Sequence, residues 1–434
     1  MTVIAEEQAA EHIHGICLKT GPPRRVGVEL EWIVRDARSP ALPVPAERIA
    51  AAVAAFGADT GTGAGAGLPA GLPTSTSPGV LPSGGLLTTE PGGQLELSSL
   101  PADSVAECVH ATAADLAALR AAAAAAGLEL TGVGMDPFRP PRRVLNLPRY
   151  AAMETFFDRD GPWGRQMMCG TASVQVCLDA GDDSDGQAGY RWRWRLLHTI
   201  GPVLVAAFAN SPLRNGRPAG WRSCRQQVWA RMDPGRTRPP RLNGTGDLPA
   251  AWAAYALDAR VMCVRSPGSD DWSAPPGLTL RDWVRDPSAA APRAPTEEDL
   301  TYHLSTLFPP VRPRGHFELR MIDAQPGDGW VVPAAVVSAL LSDARAGDTA
   351  MAAATALWDG GAPWDGEGLW LRAARLGPSD PRIARASRAC FAAARGALVR
   401  QHTPDAILAA VDDFIERYVS RDRCPADDLL EELR

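Results

Sequence analysis

Lysine is almost absent from this chain of 434 residues: Lys19 is the only one, and arginine supplies the remaining basic side chains. Basic residues are outnumbered by acidic ones, 44 against 50, which gives a net charge of -6 at pH 7. Proteins that bind nucleic acids or anionic membrane surfaces usually carry a basic excess. The composition therefore predicts no nucleic-acid and no membrane partner, and it favours a small-molecule ligand.

Long apolar runs and export signals are missing too. The longest apolar stretch, residues 202–209, is far shorter than the ~20 residues that cross a bilayer. Residues 1–12 contain three glutamates and lack the basic start and apolar core of a signal peptide. The eight cysteines are scattered without a C-x-x-C pair, which fits neither a disulfide scaffold nor a zinc site. These absences predict a protein of the reducing cytoplasm.

The length and segment patterns predict the domain organisation. We expect one catalytic domain over residues 1–434, because a chain of this length can bury a large core. Residues 57–85 are dense in Gly, Pro, Ser and Thr, which predicts a flexible insertion. Residues 331–434 are rich in Ala, Leu and Arg with helical periodicity, so this last part is predicted to be mainly helical.

Between these regions, turn and capping signals predict further elements. Ser104 and Thr296 are typical N-caps, for a helix over residues 104–126 and for a helix that begins at residue 297. A long helix is expected over residues 190–210, interrupted or bent near Gly201-Pro202. Residues 234–249 and 266–295 are rich in Pro, Gly and charge, and are predicted to be loops.

Three strand-like segments, far apart in the chain, carry carboxylates at alternate positions. They are Gly27–Trp32, Glu90–Leu97 and His316–Arg320. Side chains two apart on a strand point to the same face, and the leucines between them face a core. The paired positions are Glu29 with Glu31, Gln94 with Glu96, and Glu318 with Arg320. Carboxylates crowded on one sheet face are costly to bury unless hard cations such as Mg²⁺ neutralise them, so the pattern predicts a metal-lined face.

Two further segments add polar groups to this face. Pro91-Gly92-Gly93 predicts a tight turn that directs Glu90 to the same side as Glu96. Residues 170–178 alternate as a strand with one polar face, which belongs either to a site or to the solvent. The side chains on that polar face are Thr171, Ser173, Gln175 and Cys177.

Arginines accompany the acidic segments. Arg312, Arg314 and His316 form a cationic edge beside Glu318, an arrangement that suits a nucleoside triphosphate with Mg²⁺. For the Glu318–Arg320 pair, a cross-strand ion pair is the alternative interpretation. No Walker A sequence is present, because no Gly-x-x-x-x-Gly precedes Lys19, so a nucleotide site must be of another kind.

A second arginine group lies in residues 221–231. If this segment is helical, Arg222, Arg225 and Trp229 share one face, and paired arginines form a natural clamp for a carboxylate or a phosphate. A solvated helix face is the alternative interpretation.

These segments together resemble the plant and actinobacterial type of glutamate–cysteine ligase, a carboxylate–amine ligase with a glutamine-synthetase-like fold. The matching blocks are residues 27–32, 90–98, 171–178, 221–237 and 303–323. The resemblance implies an α+β fold: a curved, mainly antiparallel sheet with its active site on the concave face and helices packed on the convex side. Two departures stand out. Cys177 replaces an asparagine of the plant relatives, and residues 321–325 replace a more glycine-rich stretch.

The resemblance also implies a reaction. ATP phosphorylates the γ-carboxylate of L-glutamate, and the amine of L-cysteine attacks the acyl phosphate to give γ-glutamylcysteine, ADP and phosphate. Two or three Mg²⁺ ions would assist, with ergothioneine biosynthesis as the expected pathway. Two alternatives stay open: a ligase for a different amine, and a catalytically silent relative that binds nucleotide and metal. The sequence leaves the oligomeric state undetermined.

Residue roles follow from the resemblance by position. The implied catalytic residues are Arg320 and Glu96. The implied substrate contacts are Arg225, Trp229, Tyr255, Arg222 and Gln94. The implied nucleotide contacts are Thr171, Ser173, Gln175, Arg236 and Arg312. The implied metal ligands are Glu29, Glu31, Glu90, Glu96 and Glu318.

Overall fold

The computed structural model describes residues 5–57, 78–241, 247–266, 268–289, 293–359 and 367–433. A mainly antiparallel sheet lies at its centre. The strands are β1 (Val26–Asp36), β2 (Gly79–Val80), β3 (Leu86–Thr89), β4 (Leu95–Ser98), β5 (Leu128–Thr131), β6 (Ser173–Leu178), β7 (Leu213–Arg214), β8 (Arg217–Pro218), β9 (Val311–Pro313) and β10 (Phe317–Asp323). The sheet order is β2-β3-β4-β1-β6-β10-β9, β5 pairs with the far end of β1, and β7 and β8 form a separate hairpin.

Helices make up much of the remainder. They are α1 (Glu6–Cys17), α2 (Ala46–Gly57), α3 (Val105–Ala125), α4 (Pro148–Asp158), α5 (Trp163–Gly170), α6 (Tyr190–Ala207), α7 (Cys224–Ala230), α8 (Pro234–Thr237), α9 (Leu248–Asp258), α10 (Leu280–Arg285), α11 (Glu297–Leu304), α12 (Val331–Ser342), α13 (Ala344–Thr355), α14 (Glu367–Leu376), α15 (Pro381–Arg400), α16 (Asp405–Arg417) and α17 (Pro425–Glu431). Among the residues that the structure describes, no helix is long and apolar enough to cross a bilayer.

One face of the sheet is apolar and forms the core. In β1 the even-numbered residues Val28, Leu30 and Trp32 are buried, as strand alternation requires. Their partners across the neighbouring strands are also apolar, for example Leu97 of β4 and Val176 of β6. Helices α3, α6 and α12 pack against β1, β10 and β6 respectively. The opposite, odd-numbered face of β1 is thereby left to Glu29 and Glu31.

The predicted α+β class with an antiparallel sheet and packed helices is confirmed. Both predicted caps are present: Ser104 Oγ accepts from Glu107 N–H at 3.2 Å, and Thr296 caps α11. Helix α6 runs from Tyr190 to Ala207 with Pro202 in its interior, so the predicted helix is present and is not interrupted at Gly201-Pro202. The two predicted loops are wrong in part, because residues 234–249 contain α8 and residues 266–295 contain α10.

The domain predictions stay predictions. Most of the expected insertion at 57–85, residues 58–77, lies outside the described residues, and β2 falls within the last part of the predicted range. From Val331 onward, the described chain forms helices α12 to α17.

Candidate active site

The strand register brings the acidic residues of distant segments onto one face of the sheet. Residues directly opposite each other in an antiparallel pair share a face. Three cross-strand rows follow from the pairing: Thr88–Glu96–Glu31, Ser98–Glu29–Gln175, and Cys177–Glu318–Arg312. We call these rows the acidic face. It faces away from the apolar core, as the alternation in the sequence predicted.

Glu90 joins this group through a glycine turn. Its carbonyl accepts from Gly93 N–H at 2.8 Å, and Gly93 has φ of 86°, a conformation that favours glycine. Gln94, a predicted substrate contact, is buried and uses its amide on the backbone: Nε2 donates to Thr171 O at 2.9 Å, and Oε1 accepts from Gly92 N–H at 3.0 Å. In this structure Gln94 therefore fixes the turn.

Burial leaves three of the glutamates reluctant to ionise. It raises the pKa of Glu90 to about 7, with repulsion from Glu31 as the next cause. Burial likewise raises the pKa of Glu96 well above its usual value, followed by repulsion from Glu90. Glu29 is shifted in the same direction by burial and by Glu318. A cation bound at the acidic face would therefore favour the ionised form of these carboxylates.

Neighbouring polar groups orient two of these carboxylates. Glu31 accepts from Ser173 Oγ at 3.0 Å and from Gln175 Nε2 at 3.1 Å. Glu96 accepts from Thr88 Oγ1 at 3.1 Å. Ser173 and Gln175, two of the five predicted nucleotide contacts, therefore lie at the acidic face and hydrogen-bond to one of its acids.

Glu318 differs from the other acids because two arginines neutralise it. Arg312, on the adjacent strand β9, donates from Nε at 3.0 Å and from Nη2 at 2.7 Å. Arg320 also donates to Glu318, and its Nη1 lies 2.5 Å from Gln175 Oε1. Burial opposes ionisation of Glu318, but the two guanidinium groups outweigh it and hold its pKa well below the usual range. The cross-strand ion pair considered from the sequence is therefore present, with Arg312 as the partner.

Helix α7 places Arg225 and Trp229 one turn apart, as predicted. The Arg225 guanidinium lies 4.4 Å from the Trp229 ring centre, and its Nη2 donates to Arg320 O at 2.7 Å. The side chain is 1% exposed, yet its Nε and Nη1 have no hydrogen-bond partner. Burial lowers the pKa of Arg225, and Asp323 opposes that shift. A buried cation with unused donors is suited to an incoming anion.

Arg222 and Arg236, two other predicted contacts, bind other protein groups. Arg222 precedes α7 and pairs with Asp427 of α17 at 2.8 Å, so it does not share the helical face of Arg225. Arg236 is fully buried, and its nitrogens donate to Asp233, to Thr306 and to the Arg260 carbonyl. Each of its three nitrogens therefore already has a protein partner in this arrangement.

Thr171 and Tyr255, two further predicted contacts, interact with nearby protein groups. Thr171 precedes β6, and its hydroxyl donates to Met167 O of α5 at 2.7 Å. The Tyr255 ring stacks on Trp252 at 5.3 Å, and its buried hydroxyl has no hydrogen-bond partner. Burial raises the Tyr255 pKa well above its usual value, and Arg236 opposes the shift. Tyr255 therefore belongs to the surroundings of Arg236.

Two site residues were missed from the sequence. Arg149 of α4 favours ionisation of Glu90 and lies 4.9 Å from the Tyr302 ring centre. No sequence signal marked it, because α4 was not predicted. Asp323, at the end of β10, is 1% exposed and accepts three hydrogen bonds.

The fit of this face to Mg²⁺ rests on its donor set. Carboxylate oxygens are the ligands that Mg²⁺ prefers. Burial, followed by repulsion from a neighbouring glutamate, raises the pKa values of Glu29, Glu90 and Glu96, and a bound cation would oppose that shift. Within the described ranges, no three His, Cys, Asp or Glu side chains are already arranged as a cation site. The residue types fit the ion, but their side chains would have to move to coordinate one.

Comparisons with known proteins agree with the sequence resemblance. The chain matches the family described as glutamate-cysteine ligase family 2 (GCS2) over residues 25–432. Glutamate–cysteine ligase EgtA of Mycobacterium tuberculosis is 39% identical over 424 residues, which is 97% of this chain and 88% of that relative. The chloroplastic glutamate–cysteine ligase of Medicago truncatula is 30% identical over 253 residues, which is 55% of this chain and 47% of that relative.

A solved structure is also similar. Glutamate–cysteine ligase from Francisella tularensis in complex with AMP superposes with a TM-score of 0.49 and 12% identity, covering 95% of this chain and 85% of that one. The family match extends over most of the sequence, and the predicted resemblance is confirmed. The chain belongs to glutamate–cysteine ligase family 2.

Proposed function

We propose that this protein is an ATP-dependent glutamate–cysteine ligase. It joins the γ-carboxylate of L-glutamate to the amine of L-cysteine through a γ-glutamyl phosphate, and releases γ-glutamylcysteine, ADP and phosphate. Family membership and the EgtA relative support the ligase class. The structural observation that carries the proposal is the acidic face, with three glutamates of raised pKa beside the half-buried Arg320 and the buried Arg225.

The proposed reaction needs both acidic and basic side chains in the site. A free carboxylate is a poor acyl donor, and ATP converts it to an acyl phosphate with a good leaving group. Glu29, Glu31, Glu90 and Glu96 would hold Mg²⁺, which would neutralise the phosphate oxygens of ATP. Glu318 was also predicted as a ligand. With both of its oxygens bound by arginines, it enters the proposal as the residue that holds Arg320.

The chain's own cations then orient the substrates. Arg320 is fixed between Glu318 and Gln175 at the acidic face, where it can contact the transferred phosphoryl group. Arg225 offers Nε and Nη1 to the α-carboxylate of glutamate, with Trp229 as the wall of that pocket. Arg236 and Tyr255, by contrast, gain no support for a ligand role from this geometry.

Compartment and pathway are part of the proposal. All eight cysteines are free thiols, which supports a reducing cytoplasm. The EgtA relative supports a product that serves ergothioneine biosynthesis, as the sequence resemblance implied.

One assay tests the reaction. Purified protein is incubated with Mg²⁺, ATP and L-glutamate, and ADP release is measured without an amine, with L-cysteine, and with a panel of other amino acids. We expect ADP release that depends on cysteine, and a product with the mass of γ-glutamylcysteine. If another amine gives faster turnover than cysteine, that amine is the substrate instead of cysteine. Absence of turnover with every amine would favour the catalytically silent relative.

A further inference from the structure

Asp323 binds several backbone and hydroxyl groups from one buried position. Its carboxylate accepts from Asn210 N–H at 2.9 Å, from Ser211 Oγ at 2.7 Å and from Ser223 Oγ at 3.0 Å. It lies at the end of β10. The alternation of acids in β10 does not predict it, because the strand register shifts between Leu319 and Ile322.

Both serine hydroxyls that bind Asp323 also hold the start of α7. Ser211 Oγ accepts from Arg225 N–H at 3.2 Å. Ser223 is the N-cap of α7, and its Oγ accepts from Gln226 N–H at 3.1 Å. Asp323 thus fixes the first turn of the helix that carries Arg225, through two relayed hydrogen bonds.

The carboxylate also faces the Arg225 guanidinium. Nη1 of Arg225 lies 3.9 Å from Asp323 Oδ1, and both side chains are 1% exposed. At this distance the two side chains form an ion pair but no hydrogen bond. The N–H groups on Nη1 and Nε of Arg225 therefore stay free to donate. Trp229 covers one face of the guanidinium. The side chain is therefore held in place while two donors stay available.

We propose that Asp323 is a positioning residue for glutamate binding: through Ser211 and Ser223 it aims Arg225 at the α-carboxylate of the substrate. This inference rests on the proposed function, in which Arg225 contacts that carboxylate. It adds a specific residue outside the acidic face that controls affinity for one of the three substrates.

Gly134 offers a way to disturb Asp323 without changing it. A Cβ at position 134 would lie 2.7 Å from both Cβ and Oδ2 of Asp323, so the carboxylate must move. Gly15 of α1 provides a matched control, since a Cβ there meets nothing within 4 Å.

The experiment compares Michaelis constants for the three substrates in purified full-length variants. For Asp323→Asn we expect the KM for glutamate to rise about tenfold, with the KM values for ATP and cysteine within about twofold of wild type. Gly134→Ala should also raise the KM for glutamate, and Gly15→Ala should change none of the three KM values. Ser211→Ala removes one relay and should give a smaller rise in the KM for glutamate.

A double-mutant cycle separates this inference from the proposed function. If Asp323 acts through Arg225, Asp323→Asn should have no further effect on the KM for glutamate in an Arg225→Gln background. An unchanged glutamate KM in Asp323→Asn and Ser211→Ala, with only a lower melting temperature, overturns the positioning role. If Arg225→Gln itself leaves the glutamate KM unchanged, the Arg225 assignment in the proposed function fails, and the inference fails with it. Should Asp323→Asn not fold, Ser211→Ala and Gly134→Ala carry the same comparison.

Discussion

Arg312 and Glu318 face each other directly across strands β9 and β10, and the guanidinium binds both carboxylate oxygens. Glu318 is fully buried and Arg312 nearly so. Burial lowers the pKa of Arg312 to about 10, against the favourable effect of Glu318. Each charge is therefore tolerated in the interior because the other is present.

Replacing Arg312 should destabilise the protein much more than replacing Arg314. Arg312→Gln leaves Glu318 buried with Arg320 alone, and we expect a loss of about 3–5 kcal/mol in the free energy of unfolding. Arg314→Gln is the matched control two residues along, since the Arg314 side chain makes no hydrogen bond to Glu318 in the described structure. Urea unfolding of both variants measures the difference. Equal losses in the two variants would show that the bidentate pair of Arg312 with Glu318 contributes no more to stability than Arg314 does.

Glu96→Gln should separate activity from stability. The pKa of Glu96 is raised well above its usual value by burial, so the metal-free site favours the neutral form of this carboxyl. An amide resembles that form, and we expect an unchanged or higher melting temperature without Mg²⁺. ADP release should fall about 100-fold, because a charged ligand is lost from the acidic face.

The metal assignment of Glu96 would be wrong if the variant kept its activity at the wild-type Mg²⁺ requirement. Thr88→Val, which removes a hydrogen bond to Glu96 but no charge, is the control and should have a much smaller effect.

Glu90 should couple Mg²⁺ binding and stability to pH. Burial raises its folded-state pKa to about 7, above the usual value of 4.5 that applies to the unfolded chain. The folded, metal-free protein therefore binds this proton more tightly than the unfolded chain does. The resulting stability is fully present below about pH 4.5 and is lost as pH rises through about 7.

Two measurements check this dependence. Urea unfolding without Mg²⁺, compared between wild type and Glu90→Gln, should show a Glu90-dependent loss of stability between about pH 5 and about pH 8. Mg²⁺ competes with the proton, so wild-type Mg²⁺ affinity should weaken as pH falls below about 7, and less so in Glu90→Gln. Identical pH profiles for the two proteins would contradict the raised pKa.

The sequence predicted the acidic face well because strand alternation is a local rule. Glu29, Glu31 and Glu96 meet since each lies on the polar side of a strand whose other side is apolar. Arg225 and Trp229 were paired correctly for the same kind of reason, the spacing of a helical turn.

Predictions that depended on element boundaries or on packing were less successful. Arg222 lies before α7 starts, so helical spacing does not apply to it. Arg236 has a plausible charge for a phosphate contact, but three-dimensional packing supplies Asp233 and Thr306 as its partners. Asp323 was missed because a register shift in β10 removes the alternation that identified the other acids.

Gly92 connects the glycine turn to the site through a close backbone contact. A Cβ at this position would lie 2.5 Å from Cys169 Cα and 2.7 Å from its carbonyl carbon. Because the obstructing atoms are backbone at the end of α5, no side-chain rotation relieves the clash. Gly92→Ala should therefore push the turn off α5 and reduce stability by about 1–3 kcal/mol.

The same change should also impair the site. Displacement of the turn moves Glu90 and breaks the bond from Gly92 N–H to Gln94 Oε1, so we expect a higher Mg²⁺ requirement for ADP release. Gly21→Ala is the control, since a Cβ at that loop position meets nothing within 4 Å. Urea unfolding and a Mg²⁺ titration of activity measure the two effects. If Gly92→Ala loses stability but keeps the wild-type Mg²⁺ requirement, the turn supports the fold without setting the position of Glu90.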